Sequence, residues 1–173
     1  DVYKGLAEGA EGDTRAAYLD TAWTYLERAV PELQEAGAEV DPYEWELEKG
    51  RFLQQFGNDV PGHSADEAPT YYRQAYDLAP ERVDAYYIDR IVQHYFDENE
   101  QDRALAFLDE VAETRADDEA VMNVVEQRRN QVFGRDPAAR LRYLEAQYEA
   151  HPDSLDLATD LFEAYLDQEY REE

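Results

Sequence analysis

The stretch ADEAPTYYRQAYDLAP, residues 65–80, decides the fold. Ala68, Tyr72, Ala75 and Tyr76 recur at steps of three and four, which lines them along one face of a helix. Ser64 with Glu67 forms a capping-box pattern at its start, and Pro80 stops it. Alanines on that face let a second helix approach closely, while Tyr72 fills the groove beside them. Moving outward, the pattern returns every 36 residues: Tyr72, Leu108 and Leu144 are one period apart, as are Tyr76, Ala112 and Tyr148, and Pro80, Ala116 and Pro152.

Each copy reads as two helices closed by a break. The apolar set Tyr18, Leu19, Ala22, Trp23, Leu26, Ala29, Val30 and Leu33 has the same helical period, with Pro31 expected to kink or restart the helix. Asp136 before Pro137 reads as a cap followed by a first helical residue. Helices are therefore expected over 13–36, 42–57, 65–79, 82–97, 100–115, 118–133, 137–150 and 154–170. The first dozen residues, with Gly5, Gly9 and Gly12, read as frayed or as a short extra turn. Alternating strand patterns are nearly absent. Leu, Ile, Val and Phe number 34 of 173, a proportion that with high charge warns of disorder, but 24 alanines and 14 tyrosines at helical spacing can supply the core.

At this point the chain resembles the tetratricopeptide repeat family, whose unit is about 34 residues of helix, turn and helix. Residues 65–80 look like a second helix of that unit, with Ala68 and Ala75 at its small positions, Tyr72 at its aromatic position and Pro80 at its terminal proline. Tyr95, Ala104 and Leu108 continue the pattern in the next copy, and 153–170 looks like one further first helix with Leu161 and Tyr165 at its large positions. The resemblance covers residues 42–170. It implies an all-α, right-handed helical-hairpin solenoid of about three repeats, residues 42–173, behind an N-terminal helical cap, residues 1–41. The copy at 119–152 departs from the family: Arg140 and Gln147 replace small residues, and Arg128 interrupts the stripe Val121, Val124, Val125, Val132, Phe133. That copy is expected to pack loosely or to bury a paired arginine.

Chemistry has few candidates. There is no cysteine, only Ser64 and Ser154, and three histidines, His63, His94 and His151, none in a zinc-binding arrangement. Ser64 reads as a cap rather than a nucleophile, His94 as a surface residue, and His151 as a cation suited to a helix end. Residues 97–102 superficially resemble a calcium loop, but Asp102 stands where glycine is needed and Leu108 where a bidentate glutamate is needed, so a helix-to-helix turn is expected. The sequence points to no enzyme, cofactor or metal.

With 42 acidic and 16 basic residues the formal charge is -26, which opposes nucleic acid and anionic membrane surfaces, and no apolar run is long enough to span a bilayer. Five consecutive windows of 34 residues, the last slightly longer, hold 7, 9, 8, 8 and 10 acids, and lysines number two against 14 arginines. So even a spread suits adaptation to a hypersaline cytoplasm better than one acidic groove, because dense carboxylates keep a surface hydrated while salt screens their repulsion. A cytoplasmic location is expected; residues 1–10 lack the pattern of a signal peptide, and a leader removed before residue 1 would leave the periplasm open.

The resemblance implies a non-catalytic scaffold that takes a peptide or partner helix in a concave groove. Carried onto this chain, the groove positions are Tyr86, Asp89, Arg90 and Gln93, then Met122, Glu126 and Arg129, then Asp156, Asp160 and Glu163. Tyr86, Arg90 and Arg129 are of the types that dominate binding hot spots; the bland alternative is that they cover neighbouring helices. The cluster Arg128, Arg129, Arg135, Arg140 and Arg142 either receives an acidic peptide or pairs internally with Glu126, Glu145 and Glu149. The rival function is a helical accessory domain of a larger enzyme or envelope assembly. A homo-oligomer through Leu157, Leu161 and Tyr165 of the last helix is a third reading.

Overall fold

The computed structural model describes residues 2–172, and the side chains of residues 2–167. All regular structure among them is helical: α1 Val2–Glu8, α2 Gly12–Glu35, α3 Pro42–Phe56, α4 Ala68–Leu78, α5 Ala85–Asp97, α6 Gln101–Thr114, α7 Glu119–Arg135, α8 Pro137–Ala150 and α9 Leu155–Glu172. Short 3-10 turns at 57–59, 65–67 and 80–82 link α3 to α4 and α4 to α5. The eight expected helices are present with ends shifted by up to three residues, and the glycine-bearing start forms α1.

The chain ends its helices by local chemistry. Asp41, Asp118 and Asp136 each accept a backbone N–H of the first turn that follows, from Tyr43, Val121 and Ala139. Ser64 and Glu67 make the expected capping box on the 3-10 turn that leads into α4. Of the two outcomes expected at Pro31, α2 does not take the restart. The ring removes the N–H that would bond the Glu27 carbonyl, but both residues are exposed, so water can take that carbonyl. The helix runs on through the proline to a Schellman closure. There Gly37 takes φ 76°, its N–H donates to Gln34 and that of Ala38 to Leu33. Asn99, at φ 58°, closes α5 in the same way, with Glu100 N–H donating to the Tyr95 carbonyl. Residues 97–102 are thus the turn between α5 and α6.

Consecutive helices pack on one another, and α5 also packs on α7. One set of polar contacts between helices reaches across about one repeat: Arg51 of α3 meets Tyr87 of α5, 36 residues on. In the same manner α4 meets α6 through Arg73–Glu110, 37 residues apart, and Tyr76–Thr114, 38 apart. Arg128 of α7 meets Asp89 of α5 at a separation of 39, and Gln147 of α8 meets Asp109 of α6 at 38. Odd helices therefore touch odd helices and even ones even ones.

One apolar cluster runs from Ala7 of α1 to Val125 of α7, with Trp23, Tyr72, Tyr76 and Leu108 fully or almost fully buried. Trp23 stacks on Phe52 and meets Tyr71 edge-on; Phe107 receives the edges of Tyr76 and Tyr95. A smaller cluster around Leu105, Val132 and Ala139 holds the copy that departs from the repeat pattern. Polar groups take over there. Arg128 makes a two-pronged bond to Asp89, at 2.6 and 2.8 Å, and reaches Gln93 and Gln131. Asp109 gathers Arg129, Tyr143 and Gln147. Of the two outcomes expected for that copy, Arg128 takes the second: a paired and largely buried arginine.

Candidate partner-binding surface

The expected groove positions of α5 lie on the side that faces α3 and α7. Tyr86 is 52% exposed, and its hydroxyl accepts a 2.6 Å bond from the Gln54 side chain of α3. Its ring meets Tyr87 edge-on, and Tyr87 in turn carries Arg51, both by a hydrogen bond to the hydroxyl and by the guanidinium 5.4 Å from the ring. Beneath them the buried Tyr72 donates to Gln54 Oε1 at 2.6 Å. Burial, and then the neighbouring Tyr87 and Tyr86, push the Tyr72 phenol well above its ordinary value, so it stays a neutral donor. A hollow of about 340 Å³ opens among Arg51, Gln54, Gln55, Tyr72, Tyr86 and Tyr87.

One turn further along α5, Arg90 lines a second hollow of about 200 Å³ with Asp66, Gln93, His94, Asp97 and Glu98. Its Nε is buried and unbonded, and among the described residues no carboxylate lies within ion-pair distance of its guanidinium. Asp89 and Gln93 are engaged differently. Both bind Arg128, and Gln93 also donates to Asp97.

On α7, Met122 is half-buried against the main core and Glu126 is exposed. Arg129 turns to the even helices, where it pairs with Asp109 and lies over the Tyr143 ring. It is therefore not brought together with Tyr86 and Arg90. Asp156, Asp160 and Glu163 are exposed along α9. The arginine cluster is used largely within the chain, although not with Glu126, Glu145 or Glu149: Arg128 takes Asp89, Arg129 takes Asp109, Arg140 takes Asp167 and Arg142 takes Asp136.

Arg51, Gln54 and Tyr87 belong to this surface and were not among the sequence candidates. The 36-residue period contained the signal. Gln54 stands one period before Arg90, and Arg51 one period before Tyr87.

The remaining candidates behave as structure. His63 faces Glu67 at 3.1 Å and packs against Trp23, and Ser64 caps. Among the described residues no three histidine, aspartate or glutamate side chains converge as metal ligands would, and no helix is long and apolar enough to cross a membrane. On α9, Leu157 and Leu161 are half-buried and Ala164 is buried, whereas Leu155 and Phe162 are exposed, at 82% and 62%. Tyr165 is exposed and donates to the Glu145 carboxylate of α8. In comparison with known proteins, the chain matches no family model, no curated protein and no solved structure.

Proposed function

We propose that this chain is a non-catalytic interaction scaffold of stacked helical hairpins, of tetratricopeptide type, and that its α3–α5–α7 face holds a peptide or partner helix. Support for the stacking comes from the odd-to-odd and even-to-even contacts, whose separations of 36 to 39 residues repeat the sequence period. The proposed architecture is a right-handed solenoid of about three repeats behind α1 and α2, the handedness being what the tetratricopeptide resemblance implies.

The observation that carries the functional reading is Tyr86, exposed yet steadied by Gln54, beside Arg90, a cation with no carboxylate partner among the described residues. An ordered aromatic and an unspent guanidinium suit a segment offering an apolar anchor and a carboxylate. The acidity of the chain opposes such a segment at long range, but at 1 M salt the Debye length is about 3 Å and only the local pair is felt. The same screening supports the proposal that the surface is adapted to a saline cytoplasm. Nucleic acid remains the wrong partner for a chain of charge -26.

Selection of a random peptide library on the protein in high salt tests this reading. The selected peptides are expected to lose binding to a Tyr86→Ala, Arg90→Glu variant whose circular dichroism is unchanged. Undiminished binding would remove the α5 face from the proposal. Arg129 is left untouched because it braces Asp109.

A second reading draws on α9. The exposed stripe Leu155, Phe162 and Leu166 suits a helix covered by a further hairpin, another chain or a second copy, as an accessory domain of a larger assembly would have it.

A further inference from the structure

A second opening lies away from the α3–α5–α7 face. A cleft of about 850 Å³ lies between α2 and α3, with Val2, Tyr3 and Lys4 of α1 also in its lining. Tyr25, Leu26, Ala29 and Leu33 of α2 form one wall, and Trp45 and Phe52 of α3 the other. The α2 residues recur at helical spacing beside the stripe that sends Leu19 and Trp23 into the core, with Ala22 and Leu26 shared between the core edge and the cleft and Tyr25 and Leu33 facing outward. From Ala22 to Leu33 that wall is about 16 Å long, three turns of helix. Tyr25 and Leu33 remain well exposed, and Tyr3 stacks on Tyr25 at 5.6 Å, so the wall is ordered yet uncovered.

Carboxylates edge this apolar floor. Glu32 and Glu48 both line the cleft. Among the described residues Glu32 pairs with Arg28 one turn back on its own helix, and Glu48 stands 3.9 Å from Arg51. Lys4, also in the lining, has its ammonium 5.5 Å from the centre of the Phe56 ring. An apolar trough three turns long between two helices, with acid at its rim, matches one kind of occupant.

We infer that the cleft is a docking groove for a basic amphipathic helix of another protein. Its apolar residues, at i, i+3, i+4 and i+7, lie along Tyr25, Leu26, Ala29 and Leu33, and its lysines or arginines meet Glu32 and Glu48. A second copy of this chain is the poorer occupant, because the exposed apolar helix it could offer, α9, carries Asp156, Asp160 and Glu163, which would meet Glu32 and Glu48 with like charge. Anionic lipid is repelled for the same reason.

Trp45 provides the readout, since it lines the cleft while the other tryptophan, Trp23, is buried. The probe is a synthetic helix of about four turns with leucines on one face and lysines elsewhere, at the lowest salt that keeps the protein fully helical. Two controls accompany it: a twin with glutamate in place of lysine, and a lysine peptide of the same composition with the leucines scrambled off one face. The amphipathic lysine peptide is expected to shift the emission to the blue and to saturate, and Trp45→Phe to abolish the signal. Both control peptides, and a Glu32→Lys, Glu48→Lys variant, are expected to bind about tenfold more weakly or worse. Leu33→Asp should remove binding, and Tyr25→Ala, at a more exposed position, supplies the same test should Leu33→Asp lose helicity. The proposal is overturned if no saturable shift occurs on fully helical protein, if either control peptide binds equally well, or if the wall variants bind unchanged. A shift that grows with protein concentration in the absence of peptide would instead assign the cleft to a second copy.

Discussion

Gly50 has no side chain, and the space beside it is filled by Tyr72. A Cβ at position 50 would lie 2.5 Å from Tyr72 Cδ1 and 3.1 Å from the Ala68 carbonyl oxygen, so α3 and α4 approach as closely as they do because residue 50 is glycine. Tyr72 is fully buried and hydrogen-bonded to Gln54, which leaves it no room to retreat. Gly50→Ala is expected to destabilise the fold by about 1–3 kcal/mol, despite the gain in helix propensity, and urea denaturation measures it. The buried tyrosines make a second test. Burial first, with neighbouring groups, raises Tyr43, Tyr71, Tyr72 and Tyr76 above the ordinary 10.0, and burial with the Asp109 hydrogen bond raises Tyr143. A folded-state value above the unfolded one means the unfolded chain releases protons first, so this stability is complete below pH 10.0 and is lost as pH rises through and beyond it. In a titration of phenolate absorbance the raised set is expected to ionise only together with loss of helix. A single step that precedes unfolding would contradict this.

Among the elements, α9 differs most from the central helices. It packs on α8 through Leu157, Leu161 and Ala164 and leaves Leu155, Phe162 and Leu166 uncovered. Of the stripe read from the sequence, Leu157 and Leu161 are half-buried, whereas Tyr165 is exposed alongside Leu155, Phe162 and Leu166. Where α8 sits decides which residues of a helix with two apolar stripes are covered, and no local pattern encodes that position. Light scattering at rising protein concentration is expected to show a monomer in low salt and reversible self-association in high salt, reversed by Phe162→Glu with Leu166→Glu. A monomer throughout would exclude a second copy as the cover and leave a further hairpin or another chain. The helix ends were more legible. Asp136, Ser64 and Glu67 act as read, because a cap is settled within four residues, whereas α2 runs on through Pro31, on an exposed face where water can take the carbonyl the ring leaves unpaired.

At the scale of the whole molecule, charge is the dominant fact. The ion pairs draw mainly on arginines, several of which bridge helices, as Arg73, Arg82, Arg128 and Arg129 do, and the remaining acids repel one another through solvent. From low salt to multimolar potassium chloride, circular dichroism is expected to show rising helicity and a rising melting midpoint. An unchanged midpoint would count against adaptation to brine and favour a basic partner that neutralises the surface.

The amino-acid sequence by itself determined the helical class, the helix order and most caps, since each depends on periodicity or on neighbours a few residues away. It also carried the 36-residue period, which makes Arg51 and Tyr87 equivalent positions of successive copies without saying that they touch. What only the tertiary structure decided was how charged residues are shared among helices. Arg128 and Arg129 are adjacent in sequence and of identical type, yet Arg128 turns to Asp89 of α5 and Arg129 to Asp109 of α6. A helix rotates about 100° per residue, so neighbours point at different partners, and the partners' positions arise from the packing of all the helices together. The cleft between α2 and α3 is of the same kind: its walls are legible as apolar stripes, but its being open depends on where α1 and α3 come to rest.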